Sequence, residues 1–98
     1  MSEAVVVRYR VKAEALERNL ELVRAVYDEL AETRPSGLQY STYRVDERSF
    51  VHVAVLDGPQ NPLDDAAAFH AFTAEISERC EEGPMVSRGE VVGRYPRA

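Results

Sequence analysis

The 98-residue sequence lacks the features that would place it in a membrane or secreted class. No apolar run approaches the roughly 18–20 residues that cross a bilayer. The first residues also lack the basic and long apolar segments of a signal peptide, so we expect none. The single cysteine, Cys80, has no partner for an internal disulfide. We therefore expect a protein of the reducing cytoplasm that does not associate with a membrane.

Positive charge is also scarce. Twelve lysines and arginines stand against seventeen aspartates and glutamates, which gives a formal net charge of −5, and Lys12 is the sole lysine. Nucleic-acid binding draws much of its affinity from cationic contacts to phosphate, so this balance argues against a nucleic-acid partner. The remaining composition, 45% apolar with five glycines and five prolines, is typical of a globular protein. We expect one domain over residues 1–98.

The spacing of apolar residues predicts elements in the order β-α-β-β-α-β. Residues 4–11, 38–45, 49–56 and 85–95 are predicted as strands. Residues 13–33 are predicted as a helix, because they contain neither Gly nor Pro and repeat large apolar side chains every three or four positions. These side chains are Leu16, Leu20, Val23, Tyr27 and Leu30.

The second helix has two alternative starts, a cap on Asn61 or a first turn at Asp64. It is expected to bury a stripe that ends on Cys80 and to stop before residues 83–84, Gly-Pro. The last strand is expected to contain a bulge or bend at Gly89 or Gly93.

This order favours a ferredoxin-like α+β fold, with an antiparallel sheet and both helices on one of its faces. In the third strand, Phe50, Ala54 and Leu56 alternate with Val51, Val53 and Val55. If the helices bury the first set, the valines face water in a monomer, and each is worth about 1.5–3 kcal/mol when fully buried. We therefore expect a homodimer whose sheets face one another. The alternative is that the valines lie at the edges of one ordinary core.

The stretches VVVRYRVK from Val5, FVHVAVLD from Phe50 and AFHAFTAEISERC from Ala68 resemble small antibiotic-biosynthesis-monooxygenase-like domains of the dimeric α+β barrel superfamily. The resemblance covers nearly the whole chain. It implies an apolar pocket between helices and sheet that binds a small aromatic or quinone-like compound without a tightly bound cofactor. The haem-degrading branch of the superfamily is disfavoured, because the sequence contains no tryptophan.

Oxygenation without a cofactor needs a base and groups that hold the charge of a substrate enolate. His52, in the third strand, is the candidate base because the ordinary histidine pKa lies near neutrality. Tyr43, His70 and Arg8 are the candidate polar contributors. The alternatives are that His52 is hydrogen-bonded in the core, Tyr43 packs at the rim and His70 lies at the surface. Arg8 and Arg10 share a strand face, and the alternative for them is pairing with Glu90 or with a second subunit.

Metal binding and cysteine chemistry are not indicated. The two histidines and the cysteine form no local ligand pair, so we expect no metal site. Cys80 is expected near a helix C-terminus, where the dipole raises the pKa of a thiol, which argues against a nucleophile. The alternative to a monooxygenase-like enzyme is a non-catalytic dimer that binds a ligand or takes part in a stress response.

Overall fold

The computed structural model describes residues 2–96 and is built around one four-stranded sheet. Its strands are β1 (Glu3–Val11), β2 (Leu38–Arg44), β3 (Ser49–Leu56) and β4 (Cys80–Glu90). All neighbouring strands are antiparallel, and their order across the sheet is β2-β3-β1-β4. This is the ferredoxin-like α+β arrangement, so the fold predicted from the sequence is confirmed.

Three α-helices and two short 3₁₀ turns connect the strands in the described part of the chain. Helix α1 (Leu16–Thr33) follows a 3₁₀ turn at Ala13–Ala15, and helix α2 (Ala67–Thr73) follows one at Pro62–Asp65. Of the two starts offered for the second helix, the Asn61 cap is present, since Asn61 Oδ1 accepts a hydrogen bond of 3.0 Å from the Leu63 amide, but it caps the 3₁₀ turn, and α2 itself begins at Ala67. Neither of the longer helices, nor any other among residues 2–96, is long and apolar enough to span a bilayer.

The prediction of one continuous second helix is wrong. Helix α2 ends at Thr73, and a separate turn, α3 (Ile76–Arg79), follows a break at which Glu75 adopts a left-handed φ of 60°. At the break, the Arg79 guanidinium donates to the backbone carbonyls of Phe72, in the last turn of α2, and of Ala74, the residue that follows the helix. Cys80 is buried as predicted, but it begins β4 instead of ending a helix.

The last strand begins and ends five residues before its predicted bounds, at Cys80 and Glu90 instead of residues 85 and 95. The irregularity lies where Gly83 and Pro84 pass β1, and the predicted bulge at Gly89 or Gly93 is wrong. Gly83 has a φ of +85°, and a Cβ there would lie 2.8 Å from the carbonyl oxygen of Arg8, so the close approach requires glycine. Proline is tolerated because β4 is an edge strand.

The core lies between the helices and one face of the sheet. From the sheet it takes Tyr9, Val11, Phe50 and Ala54. From α1 it takes Asn19, Leu22 and Val26, while the predicted stripe of five apolar residues is half-buried to one side of them. The centre of the helix face is therefore displaced from the predicted one, and it contains a polar residue. We call the helix-free side of the sheet the open face; it carries the half-exposed Val51, Val53 and Val55.

Candidate functional site

A cavity of about 300 Å³ lies between the sheet and the segment that contains α2 and α3. Its wall is largely apolar and is formed by Val5, Val7, Ala54, Leu63, Phe69, Phe72, Ile76, Pro84 and Val86. His52 and Tyr40 line it from β3 and β2. Asn61, Asp64, Thr73 and Arg88 complete the lining. The chain thus builds an apolar cleft with few polar groups, which is the usual composition of a site for a small organic ligand.

His52 is the most buried polar group in the cavity wall, with 3% of its surface exposed. Both ring nitrogens have partners: Nε2 lies 2.7 Å from Tyr9 Oη, and Nδ1 lies 2.7 Å from Tyr40 Oη and 3.1 Å from Thr42 Oγ1. Strand alternation explains the grouping, because Thr42 is the register partner of His52 and Tyr40 is two residues away on the same face. Polar side chains of β1 and β2 therefore contact the imidazole of His52 in β3.

The polar contacts extend from His52 to both sides of the core. On one side, Tyr27 Oη lies 2.8 Å from Thr42 Oγ1. On the other side, Asn19 Nδ2 donates to Tyr9 Oη at 3.0 Å, and Arg79 Nε donates to Asn19 Oδ1 at 3.2 Å. We call this set of side chains the core network. It consists of Arg79, Asn19, Tyr9, His52, Tyr40, Thr42 and Tyr27.

Arg79 ends the core network with a buried positive charge. Its Nη1 and Nη2 donate to the carbonyls of Ala74 and Phe72, at 3.1 Å and 2.5 Å, and its Cζ lies 5.3 Å from the centre of the Phe72 ring. Among residues 2–96, no carboxylate comes within ion-pair distance of this guanidinium. Carbonyl dipoles, an amide and an aromatic face therefore stabilise the charge in place of an acid.

Burial sets the protonation states of the network. It lowers the pKa of His52 to about 4, so the imidazole is neutral at pH 7. Burial also raises the pKa of Tyr9 and Tyr40 well above the ordinary value, and it raises the pKa of Tyr27. The phenols therefore keep their hydrogens, and the network at neutral pH is a set of neutral groups joined to one cation.

Of the four residues proposed from the sequence, His52 lines this cavity and the other three do not. Tyr43 and Arg8 lie on the open face, where both are register partners of Val51. Side chains alternate along a strand, and each of these two residues is next to one that faces the helices. His70 is exposed on α2, and its Nε2 lies 2.5 Å from the backbone oxygen of Asp64. The four residues do not form one site.

The predicted pairing of the β1 arginines with Glu90 is also wrong. Arg10 Nε lies 3.4 Å from Glu81 Oε2, and the register partner of Glu90 is Glu3. The earlier start of β4 explains the difference, since it shifts the acidic residues of that strand along β1.

The sequence interpretation missed most of the core network. For Asn19 a signal was present: it precedes Leu22 by three positions and Val26 by seven, which places all three on one helix face. Tyr40 and Thr42 share a strand parity, which indicated a common side. Arg79 gave no signal, because its position depends on the break between α2 and α3. Within the described part of the chain, no three His, Cys, Asp or Glu side chains are grouped as metal ligands.

Solved structures with the same fold are numerous, although no protein-family model and no curated protein matches the sequence. A protein of unknown function from Nitrosomonas europaea superposes with a TM-score of 0.77 at 12% identity, over 99% of this chain and 95% of that one. A second protein from the same organism, provisionally named an antibiotic biosynthesis monooxygenase, gives 0.74 at 15% identity over 97% and 92%. A further structure, named antibiotic biosynthesis monooxygenase, gives 0.62 at 22% identity over 95% and 100%.

These identities show a shared fold. The structural resemblance expected from the sequence is confirmed at that level, since several of the similar structures carry the antibiotic biosynthesis monooxygenase name. Others carry no assigned function. A fold by itself does not specify a reaction, which depends on the groups that line the cavity.

Proposed function

We propose that this chain is a monooxygenase-like protein that binds a small aromatic or quinone-like compound in the cavity, without a tightly bound cofactor. The observation that carries the proposal is an apolar cavity of about 300 Å³ with His52 and Tyr40 in its wall. An apolar cavity of about 150 Å³ accommodates benzene. A compound of one or two rings is therefore the size that this cavity suits, at the lower end of ligand sites.

The hydrogen-bond donors around the cavity favour a ligand with an anionic oxygen, although its two charged lining residues, Arg88 and Asp64, are of opposite sign. Tyr40 keeps its hydrogen and is a hydrogen-bond donor for a phenolate or enolate oxygen. Arg88, also in the lining, supplies positive charge, and its Nη1 lies 3.8 Å from a carboxylate oxygen of Glu3. Because the pKa of His52 is about 4, the imidazole is a weak proton acceptor at pH 7. We therefore propose that the substrate is a phenol that ionises near neutral pH and enters as the anion.

The proposed reaction is direct oxidation of such an anion by molecular oxygen. The electron-rich ring carbon, which carries two hydrogens in the keto form of the substrate, attacks oxygen and forms a carbon–oxygen bond. One oxygen atom stays on that carbon as a carbonyl. The other leaves as water with the hydrogen that remains on that carbon and one proton from the solvent, which replaces the proton lost on ionisation, so a CH₂ group becomes C=O and O₂ is reduced. The contribution of the protein is to bind the ring in a dry cavity and to hold the developing charge.

We further propose that two copies of the chain pair through their open faces. Val6 and Val53 are register partners at the centre of this face, and Tyr43 and Met85 are 55% and 62% exposed. An apolar surface of this kind on a sheet favours association. Sedimentation at micromolar concentration is expected to give about twice the 11.0 kDa of the single chain. Val53→Lys is expected to give the single chain, and Gln60→Lys, on an exposed loop, is the control.

Binding and turnover are tested together with 1,4-naphthoquinone and a dihydroxynaphthalene. Calorimetry is expected to show binding of both probes, and an oxygen electrode is expected to show uptake with the reduced probe. Tyr40→Phe is expected to reduce both signals, whereas Tyr43→Phe, on the open face, is expected to leave them unchanged. Absence of binding by the wild-type protein would make the proposal wrong.

The second candidate function is a non-catalytic, ligand-binding or stress-related dimer. It is favoured by one observation, namely that both ring nitrogens of His52 have partners inside the protein. Binding of the probes without oxygen uptake would select this candidate.

A further inference from the structure

We infer that Asn19 and Arg79 are positioning residues that fix the direction of every hydrogen bond through His52. In that direction Tyr40 offers its hydrogen to the cavity, so the site selects ligands that present an acceptor oxygen, such as phenolates and quinones. The selection of ligands rests on the proposed function. The direction of the hydrogen bonds is a property of the protein alone and can be measured without a ligand.

The direction begins at Arg79, because a guanidinium has donors and no acceptor. Its Nε–H lies 3.2 Å from one end of the Asn19 amide, and that end must therefore be the oxygen. The amide nitrogen of Asn19 then faces Tyr9 and donates to Tyr9 Oη at 3.0 Å. Asn19 is completely buried, so bulk water does not compete for either end.

Tyr9 transmits this direction to His52. Its oxygen already accepts from Asn19, and its own hydrogen has one acceptor within reach among the described residues, the Nε2 atom of His52 at 2.7 Å. Nε2 therefore carries no hydrogen. Since a neutral imidazole has one N–H, that hydrogen is on Nδ1.

The Nδ1–H group of His52 sets the direction of the hydrogen bonds towards the cavity. It donates to Tyr40 Oη at 2.7 Å and lies 3.1 Å from Thr42 Oγ1. Tyr40 has then used a lone pair, and its hydrogen is left for Thr42 or for an acceptor in the cavity that Tyr40 lines. A ligand that presents a carbonyl or an anionic oxygen matches this donor.

The same direction assigns His52 a role as a donor and removes the role of base. A proton from a ligand at Tyr40 cannot pass to Nδ1, which already carries a hydrogen, and Nε2 is occupied by the hydrogen of Tyr9. His52 therefore strengthens Tyr40 as a donor. Asn19 and Arg79 act through it without touching the ligand.

The decisive measurement is the tautomer of His52 in the ligand-free protein, read at pH 7 from two-bond ¹H–¹⁵N correlations. The wild type is expected to show hydrogen on Nδ1. In Asn19→Asp, a nearly isosteric change, the carboxylate accepts from both Arg79 and Tyr9. Tyr9 then accepts from His52, and the imidazole is expected to carry its hydrogen on Nε2. Gln60→Glu makes the same chemical change on an exposed loop and is expected to leave the tautomer unchanged.

The ligand arm uses 1,4-naphthoquinone as the probe. In Asn19→Asp the hydrogen of Tyr40 is drawn to Nδ1, and we expect the affinity for the quinone to fall about tenfold. Hydrogen on Nε2 in the wild type, or on Nδ1 in folded Asn19→Asp, would overturn the inference. If Asn19→Asp does not fold, Arg79→Met is used: it is expected to give a mixture of tautomers, and a single Nδ1–H form would overturn the role of Arg79. A tautomer switch without quinone binding by any variant would retain the positioning role and reject the proposed function.

Discussion

The phenol oxygen of Tyr9 lies 2.7 Å from Nε2 of His52, although 43 positions separate the two residues in the chain. Their strands are neighbours in the sheet, and their rings are 5.3 Å apart between centres. Both side chains are nearly fully buried. Each of the two polar groups is therefore shielded from water, and removing either one would leave the other buried with one hydrogen-bond partner fewer.

Tyr9→Phe is expected to lower the free energy of unfolding by about 1–3 kcal/mol. The change leaves Nε2 of His52 without a donor and the Asn19 amide without an acceptor, and buried groups without partners carry this penalty. Urea unfolding followed by circular dichroism measures the change. Tyr95→Phe is the matched control, because Tyr95 lies beyond β4 and is exposed, and we expect a change within about 0.5 kcal/mol. Equal effects of the two substitutions would contradict the buried role of Tyr9.

The stability of the protein is expected to fall in mild acid because of His52. Its pKa is about 4 in the folded protein and 6.5 without burial, so between these values the unfolded chain binds more protons than the folded one. The contribution is fully present above pH 6.5 and is lost as the pH falls towards 4. It amounts to about 2 kcal/mol between pH 7 and pH 5.

The His52 contribution is isolated by comparing variants. Urea titrations at pH 7, 6 and 5 are expected to show a shallower pH dependence in His52→Gln than in the wild type. His70→Gln, which removes the exposed histidine, is expected to keep the wild-type dependence. An unchanged slope in His52→Gln would show that the imidazole is not held neutral in the folded state.

Glu29 stabilises a helix other than its own. Its Oε1 accepts from the Ala68 amide at 2.7 Å, and its Oε2 accepts from the Ala67 amide at 3.1 Å, both in the first turn of α2. Glu29→Ala leaves these amides without the carboxylate, and we expect a loss of about 1 kcal/mol in the free energy of unfolding. Glu32→Ala, at an exposed position of α1, is the control in the same urea experiment. A loss no larger than in this control would contradict the capping role.

The Cys80 thiol is expected to react slowly with a neutral disulfide reagent in the native protein. Its side chain is buried, and burial raises the pKa of the thiol, so both access and the thiolate fraction are low at pH 7. The rate is measured by absorbance of the released thiolate, with the protein in urea as the fully accessible reference. Similar rates in the two conditions would refute the burial of Cys80.

Particular residues show where prediction of the site from sequence succeeds. The sequence identifies His52 as the candidate base because it lies in the third strand and the ordinary histidine pKa is near neutrality, and the structure places it in the cavity wall. Residue type groups Tyr43 and Arg8 with it. Their side chains, however, lie on the open face, because each is an odd number of positions along its strand from a residue that faces the helices. Tyr40 has the right parity and was not chosen. Chemical type without parity therefore grouped residues that the structure places on opposite faces of the sheet.

The sequence alone determined the order of the elements and the sheet topology, because apolar spacing and turn residues act locally and leave few ways to bury the resulting faces. It did not determine that α2 stops at Thr73, that β4 starts at Cys80, or that Arg79 meets Asn19. Those features depend on contacts between residues as many as 60 positions apart. A buried cation needs its carbonyls and its amide in place together, and only the packed chain brings them there.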